Sequence, residues 1–147
     1  MSRSDHDGIS EQAKAGRHRW DDAIVLRANA RYRGAMYLAG YSVECLLKTK
    51  LMRIHDCRSL TELDAELRRK RLLSEDMRVH THQLEQLLKL AGGRDRLRAD
   101  PVLWSLFAIV NRWMPAWRYN PDLSDYEESE DYFGAVMAIR EWIEHNT

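Results

Sequence analysis

The sequence predicts an all-helical fold, and the choice of residues and their spacing carry this prediction. Strong helix formers (Leu, Ala, Arg, Glu and Met) dominate the chain, whereas Val, Ile and Thr are sparse. No stretch sustains the apolar–polar alternation of a strand, but apolar residues recur at helical spacing in several segments. With 147 residues, the chain has a usual size for one domain with one substantial core.

The first two helices are predicted over roughly residues 13–30 and 32–55. Ile24 and Ala28 are expected on the apolar side of the first. The front half of the second, GAMYLAGYSVECLL (34–47), is apolar nearly all the way round. Such a helix is normally central and covered on several sides.

Three further helices are predicted mainly from their capping residues. In SLTELDAELRRKRLL (59–73), either Thr61 with Asp64 or Ser59 with Glu62 has the spacing of a capping box. A short helix in THQLEQLLKLAGG (81–93) has Thr81 as its expected N-cap and ends at the glycine pair. His82 beside it is expected to orient a loop through a hydrogen bond.

A long helix starts at Asp100-Pro101, where an N-cap residue precedes a proline at the first helical position. Its apolar residues continue to Met114. The last helix, within residues 124–146, has acidic residues in its first turns, which complements the helix dipole. Its buried face is predicted to carry Tyr132, Val136, Ile139 and Ile143. The expected architecture is a bundle of about five helices.

The composition favours no particular partner. Lys plus Arg and Asp plus Glu both number 23, so the formal net charge is zero and bulk charge gives no reason to expect nucleic acid. A local basic patch remains open: RRKR (68–71) is either a solvated helix face or a contact for RNA or phosphate. Cys45 and Cys57 form no CxxC pair, no secretory signal is recognised and no apolar run suits a membrane span, so we predict a cytoplasmic protein with reduced thiols.

Glu44 is the one carboxylate within the apolar part of the second helix. A buried carboxylate needs a partner. Lys48 lies four residues later on the same face, but that pair alone is weak when it is exposed. We therefore expect Glu44 to pair with Arg118, or with Arg112, either of which can form two parallel hydrogen bonds to a carboxylate.

The stretch NRWMPAWRYNPD (111–122) supplies these arginines. It is expected to be a helix end and a turn, with Pro115 bending or terminating the helix. Two further roles stay open for it. Arg112 and Arg118 can bind phosphate while Trp117 or Tyr119 stacks on bases, or the stretch takes part in catalysis.

Three stretches together resemble the HEPN family of small helical domains. AMYLAGYSVECLLKTKL (35–51) is similar to its central helix, HTHQLEQLLKLAG (80–92) to its His-x-Leu-x-x-Leu-Leu segment, and WRYNPD (117–122) with MAIREWI (137–143) to its turn and closing helix. The resemblance covers about residues 18–143 and implies an up-and-down bundle of four to five helices, which we place in one domain at residues 13–147. The polar start of the sequence predicts a flexible segment at residues 1–12. The resemblance also implies a homodimer and a role with RNA or nucleotides.

Many members of that family are metal-independent ribonucleases of toxin–antitoxin and defence systems, and others are noncatalytic partners, often of a minimal nucleotidyltransferase. The nucleases use an Arg and a later His that are separated by four to six residues. Counted from Arg112, those positions hold Trp117, Arg118 and Tyr119, and Arg stays protonated at neutral pH. We therefore expect no catalytic residues, no metal and no cofactor.

The expectation is a noncatalytic domain that dimerises and binds RNA, a nucleotide or a partner protein. The candidate binding residues, predicted as one set, are Glu44, Lys48, Arg112, Trp117, Arg118 and Tyr119. The alternatives are a ribonuclease with an unusual active site that includes a His from elsewhere, and a pure protein-interaction subunit. At the other histidines, His80-x-His82 matches no familiar metal-ligand spacing.

Overall fold

A computed structural model describes residues 8–119 and 125–147, without the side chains of Arg118 and Tyr119. Within these residues it contains seven α-helices, one 3₁₀ helix and no strand. The helices are α1 (Ile9–Ala28), α2 (Tyr32–Ile54), α3 (Leu60–Arg69), α4 (Leu84–Leu90), α5 (Arg94–Arg98), α6 (Pro101–Val110), the 3₁₀ helix (Pro115–Tyr119) and α7 (Tyr126–Asn146). The predicted all-helical bundle is therefore confirmed, and α1 begins before the predicted domain start at residue 13.

Helix α2 occupies the centre of the bundle. It packs against α1 along its length and also contacts α3, α4, α7 and the 3₁₀ helix, while α6 packs on α7. Residues on nearly every side of α2 are buried, as its continuous apolar pattern predicts. The predicted face of α7 is buried as well, including Tyr132 and Ile139.

The capping predictions hold at α3 and α6, and the structure adds a third side-chain cap at α7. Ser59 accepts a hydrogen bond from Glu62 N at 3.1 Å, which selects the second of the two predicted capping boxes. Asp100 Oδ1 accepts from the first turn of α6, and Asp125 Oδ1 accepts from Glu128 N at 2.8 Å at the start of α7. Each bond satisfies an N–H group that a helix start leaves unpaired.

The predicted N-cap of α4 is wrong. The helix begins at Leu84 with Gln83 as its N-cap, and no side chain caps it. Thr81 Oγ1 instead accepts a hydrogen bond from Gln83 N at 3.2 Å. Threonine readily bonds the backbone two residues ahead, which forms a turn before the helix.

Two predicted features of the long helices also differ. Ala23 faces the core of the bundle, whereas Ile24 is 48% exposed. The reason is the close packing of α1 on α2. A Cβ atom at Gly16 would lie 3.1 Å from Cys45 Cβ, so the side of α1 that faces α2 must carry small side chains.

Helix α6 ends at Val110 rather than continuing to Met114, so Pro115 begins the 3₁₀ helix instead of ending α6. A residue that precedes proline is disfavoured in the α conformation, which separates the two helices at Met114. Residues 120–122 of the predicted turn lie outside the described residues.

An ion pair shapes the connection between α3 and α4. Asp64 Oδ2 lies 2.8 Å from Arg68 Nε, and Asp64 Oδ1 accepts from Val79 N at 3.1 Å. Arg68 Nη2 donates to the carbonyl oxygen of Met77 at 2.6 Å. Burial raises the pKa of the Asp64 carboxyl, but the hydrogen bonds from Arg68 and Val79 outweigh it and leave that pKa below its usual value. This clamp holds the connection in place ahead of His82.

Among the described helices, none has both the length and the apolar character of a membrane span. The two cysteines are buried and form no disulfide. Burial, reinforced by the charge of Glu44, raises the pKa of the Cys45 thiol to about 12. Cys45 is therefore a packed side chain and not an activated nucleophile.

Candidate functional site

The stretch that follows α6 is fastened to α2 through Trp113. Its indole Nε1 donates to the carbonyl oxygen of Tyr37 at 2.8 Å, and the ring stacks on Tyr37 with centroids 5.9 Å apart. A Cβ atom at Gly40 would overlap Trp113 Cδ1 and lie 2.6 Å from Tyr132 Oη. Glycine at this point in α2 therefore makes the room that the indole occupies.

One helical turn further along α2, Glu44 holds two partners at once. Its side chain is 3% exposed, its Oε2 lies 2.9 Å from Lys48 Nζ, and its Oε1 lies 2.7 Å from His82 Nδ1. Lys48 is buried as well. Both carboxylate oxygens are thus engaged, which is the arrangement that a buried charge requires.

His82 is the exposed member of this cluster. Its side chain is 56% exposed, and its ring lies edge-on to Trp113 with centroids 5.9 Å apart. An ionised carboxylate only accepts hydrogen bonds, so Nδ1 carries a proton in this contact and Nε2 is left for a ligand. Glu44 therefore fixes the orientation of an imidazole at the protein surface.

His82 lies in the wall of a groove with a volume of about 680 Å³. One side of the groove comes from α4, and the other comes from the stretch between α6 and the 3₁₀ helix. Its apolar lining includes Met77, Met114 and Pro115.

The polar lining of the groove carries donors and cations. Lys89 is exposed, and Arg94 Nε pairs with Glu85 Oε2 at 2.9 Å. The side-chain Nε2 of Gln86, also in the lining, is buried and has no hydrogen-bond partner among the described residues. A buried donor without a partner is costly, and a ligand acceptor in the groove would satisfy it.

The predicted binding residues whose side chains the structure describes, Glu44, Lys48, Arg112 and Trp117, do not lie on one exposed surface. Glu44 and Lys48 are buried beneath the groove, and Arg112 is exposed next to the lining residue Asn111. The described side chains show no ion pair between Arg112 and Glu44. The side chains of Arg118 and Tyr119 lie outside the described residues, so the predicted pairing of Glu44 with Arg118 stays a prediction.

Trp117 belongs to the core. Its ring lies edge-on to Tyr132 with centroids 5.4 Å apart, and Arg33 Cζ lies 4.7 Å from its centroid. It is 8% exposed. Stacking of a base on Trp117 would therefore require displacement of these neighbours.

The predicted basic run at residues 68–71 is largely engaged within the protein. Arg68 belongs to the clamp with Asp64, and Arg69 pairs with Glu66. Lys70 Nζ lies 3.1 Å from His55 Nδ1. These pairings favour the first of the two interpretations, a solvated helix face.

The main functional contact that sequence reasoning missed is the one between Glu44 and His82. The expectation that His82 makes an orienting hydrogen bond is confirmed, but its partner lies 38 residues away and no local pattern signals it. The lining residues Lys89, Arg94 and Gln86 were missed because short polar helix faces look alike in sequence. Within the described residues, no group of three or more His, Cys, Asp or Glu side chains is arranged to hold a metal ion.

Comparison of the chain with protein-family models, with curated proteins and with solved structures gives no match. The resemblance to the HEPN family therefore rests on the sequence stretches quoted above. The structure establishes the helical bundle, and the family remains a proposal.

Proposed function

We propose that the chain is a noncatalytic HEPN-like domain that binds single-stranded RNA or a nucleotide in the groove between α4 and the 3₁₀ helix. The observation that carries this proposal is His82, an exposed imidazole fixed by the buried Glu44 in the wall of the groove. Orienting a surface histidine from a buried charge is a feature of ligand sites rather than of packing.

The lining of the groove suits the parts of a nucleotide. Lys89 in the groove and Arg112 beside it supply cations for phosphate. His82 Nε2 supplies a hydrogen-bonding group for the edge of a base. Met77 and Met114 supply apolar surface, and an unpaired base in a single strand can reach all three kinds of group.

Replacing Lys89 by alanine is expected to weaken RNA binding by about fivefold. The slope of log affinity against log salt concentration is expected to become shallower by about one, because one phosphate contact is lost. Arg112→Ala is expected to act in the same direction. Fluorescence anisotropy of a labelled single-stranded RNA, titrated with protein in EDTA at several salt concentrations, measures both quantities.

Lys14→Ala is the matched control, because Lys14 is an exposed lysine on α1, which contributes no lining residue to the groove. Equal weakening in Lys14→Ala and Lys89→Ala would show that binding is nonspecific and would contradict the groove. Absence of binding by the unaltered protein would favour the rival function, a protein-interaction subunit such as a partner of a minimal nucleotidyltransferase.

One observation favours a second candidate, a metal-independent ribonuclease. In this chain the Arg-x4-6-His pattern lacks its histidine. The ring of His82, however, lies against Trp113, and Arg112 immediately precedes Trp113 in the chain. An imidazole with one nitrogen held by a carboxylate can accept a proton at the other. If the RNA from the anisotropy experiment runs as shorter products on a gel, and His82→Gln abolishes this cleavage while retaining binding, the domain is an enzyme.

We also propose that the chain forms a homodimer through α6. Only Phe107 and Val110 of this apolar helix are buried, which leaves Val102, Leu103, Trp104, Leu106 and Ile109 fully or partly exposed. Val102 is the exposed large apolar residue of α6, and Leu103, Trp104, Leu106 and Ile109 are partly buried against the core, so their remaining apolar surface is what a partner helix would cover. The central helix α2 is covered by its own bundle and offers no such surface.

Val102→Glu is expected to convert the dimer to a monomer at micromolar concentration, because it places a charge within this apolar surface. Light scattering on a size-exclusion column measures the mass. Val25→Glu on α1 is the control, since Val25 is 60% exposed and Val102 is 69% exposed. A monomeric unaltered protein, or equal dissociation in both variants, would refute an α6 interface.

A further inference from the structure

A second, smaller pocket lies between α1, α2 and α7, and one arginine from each helix lines it. The three are Arg17, Arg53 and Arg140. Among the described residues, Glu144 is the one carboxylate that lines the same pocket. The lining is therefore strongly positive in a chain whose net charge is zero.

The surroundings of Arg140 show that this guanidinium is fixed in place. Its Nη1 donates to the carbonyl oxygen of Ser42 at 3.3 Å, and its Cζ lies 5.4 Å from the ring centroid of Trp20. Burial lowers the pKa of Arg140 from its usual value, although the charges of Glu144 and Asp21 act against this. Arg140 stays protonated at neutral pH, so its burial adds an electrostatic cost to the fold.

The protein itself compensates the three arginines only in part. Glu144 Oε2 lies 3.4 Å from Lys50 Nζ, so its charge is shared with a fourth cation. Neither Arg17 nor Arg53 forms an ion pair with a carboxylate among the described residues. Like charges that converge on one pocket repel each other, and a bound anion removes that repulsion.

The hydroxyl groups of the lining cannot supply the missing negative charge or further donors. Ser42 Oγ donates to the carbonyl oxygen of Ala39 at 2.6 Å, and Thr49 Oγ1 donates to that of Cys45 at 2.8 Å. The hydrogen-bond donors open to a ligand are therefore chiefly the guanidinium groups. Planar guanidiniums are the protein groups best matched to phosphate oxygens, which they bind in pairs.

We propose that this pocket is a binding site for a phosphate group, held as a dianion by Arg17, Arg53 and Arg140. Its volume is about 120 Å³. The groove has about 680 Å³, so this pocket takes a much smaller ligand. That suits a tetrahedral oxyanion and leaves a nucleoside attached to it outside. None of these residues lines the groove, so the proposal does not rest on RNA binding there.

The test is thermal unfolding of the unaltered protein in inorganic phosphate and in chloride at equal ionic strength and pH. A ligand that binds only the folded state raises the Tm in a saturable way, and at about ten times its Kd we expect a rise of roughly 3 °C. Arg53→Gln is expected to abolish this rise. In chloride alone the same variant is expected to melt at the same or a higher temperature, because one repelling charge is gone.

Arg98→Gln is the matched control, since Arg98 is an exposed arginine on α5 and does not line the pocket. It is expected to retain the full rise with phosphate. Arg17→Gln provides a second variant and is expected to behave like Arg53→Gln. A rise no larger in phosphate than in chloride, or one that persists in both variants, overturns the proposal.

Two further ligands, adenosine 5′-monophosphate and adenosine, distinguish a phosphate ester from free inorganic phosphate as the group that binds. A rise with the monophosphate that Arg53→Gln abolishes shows that the pocket accepts a phosphate ester, whereas a rise with inorganic phosphate alone restricts it to the free ion. Either result supports the phosphate site. A rise with inorganic phosphate or the monophosphate that is the same in Arg53→Gln as in the unaltered protein contradicts it, because the arginines of the pocket would then play no part.

Discussion

Replacing Gly40 by alanine is expected to lower the free energy of unfolding by about 2–3 kcal/mol, because the added methyl group has no space. It would overlap the indole of Trp113 and lie 2.6 Å from Tyr132 Oη. The indole cannot retreat freely, since its Nε1 is bonded to the Tyr37 carbonyl oxygen and its ring contacts Tyr41. Urea unfolding followed by circular dichroism measures the change.

The chain contains a control for this substitution. Gly134 lies inside α7, and a Cβ atom there would meet nothing within 4 Å. Alanine is the better helix former, so Gly134→Ala is expected to raise the free energy of unfolding by about 0.5–1 kcal/mol. Loss of stability in both variants, or in neither, would show that the contact between Gly40 and Trp113 is not what makes glycine necessary.

Glu44→Gln is expected to cost about 3 kcal/mol of stability, because it leaves the buried Lys48 without a counter-charge. The amide that replaces the carboxylate has nearly the same shape, so packing changes little and electrostatics dominates. Glu130→Gln is the control: Glu130 pairs with Arg27 at 2.7 Å but is 51% exposed. Removing an exposed pair of this kind costs about 0–1 kcal/mol.

A second substitution separates the lost charge pair from other damage. Adding Lys48→Met to Glu44→Gln removes the stranded cation and is expected to restore most of the lost stability in urea unfolding at neutral pH. If the double variant is instead less stable than Glu44→Gln, Lys48 is not the group that needs the carboxylate. The contact with His82 would then be the dominant one.

Local patterns in the sequence predicted the helices and several of their starts well. Ser59 and Asp100 cap helices as their spacing indicates, because capping depends on residues two or three positions apart. The buried faces of α2 and α7 follow from periodicity for the same reason. The exposed Ile24 shows the limit, since the close approach of α1 to α2 decided which side of α1 is buried.

The candidate site was less predictable because its contacts join distant parts of the chain. The sequence placed Gly40, Glu44 and Lys48 on one face of a helix, and it predicted that Glu44 needs a partner. It did not identify His82 as that partner, because the residues near a histidine in the sequence do not indicate which carboxylate it contacts in the folded protein. The two pockets likewise depend on how separate helices pack, which periodicity alone does not specify.

The clamp between α3 and α4 bears on how the groove can change. Arg68 donates to the main-chain oxygens of Ser74 and Met77, and Asp64 accepts from the main-chain N–H of Val79. These bonds fix the backbone of the connection and do not involve the side chains of Ser74, Met77 or Val79. Substitutions at residues such as Met77 can therefore alter the wall of the groove while the backbone keeps its course. For the proposed RNA or nucleotide site, such substitutions would change the ligand-facing wall while the imidazole of His82 keeps its orientation.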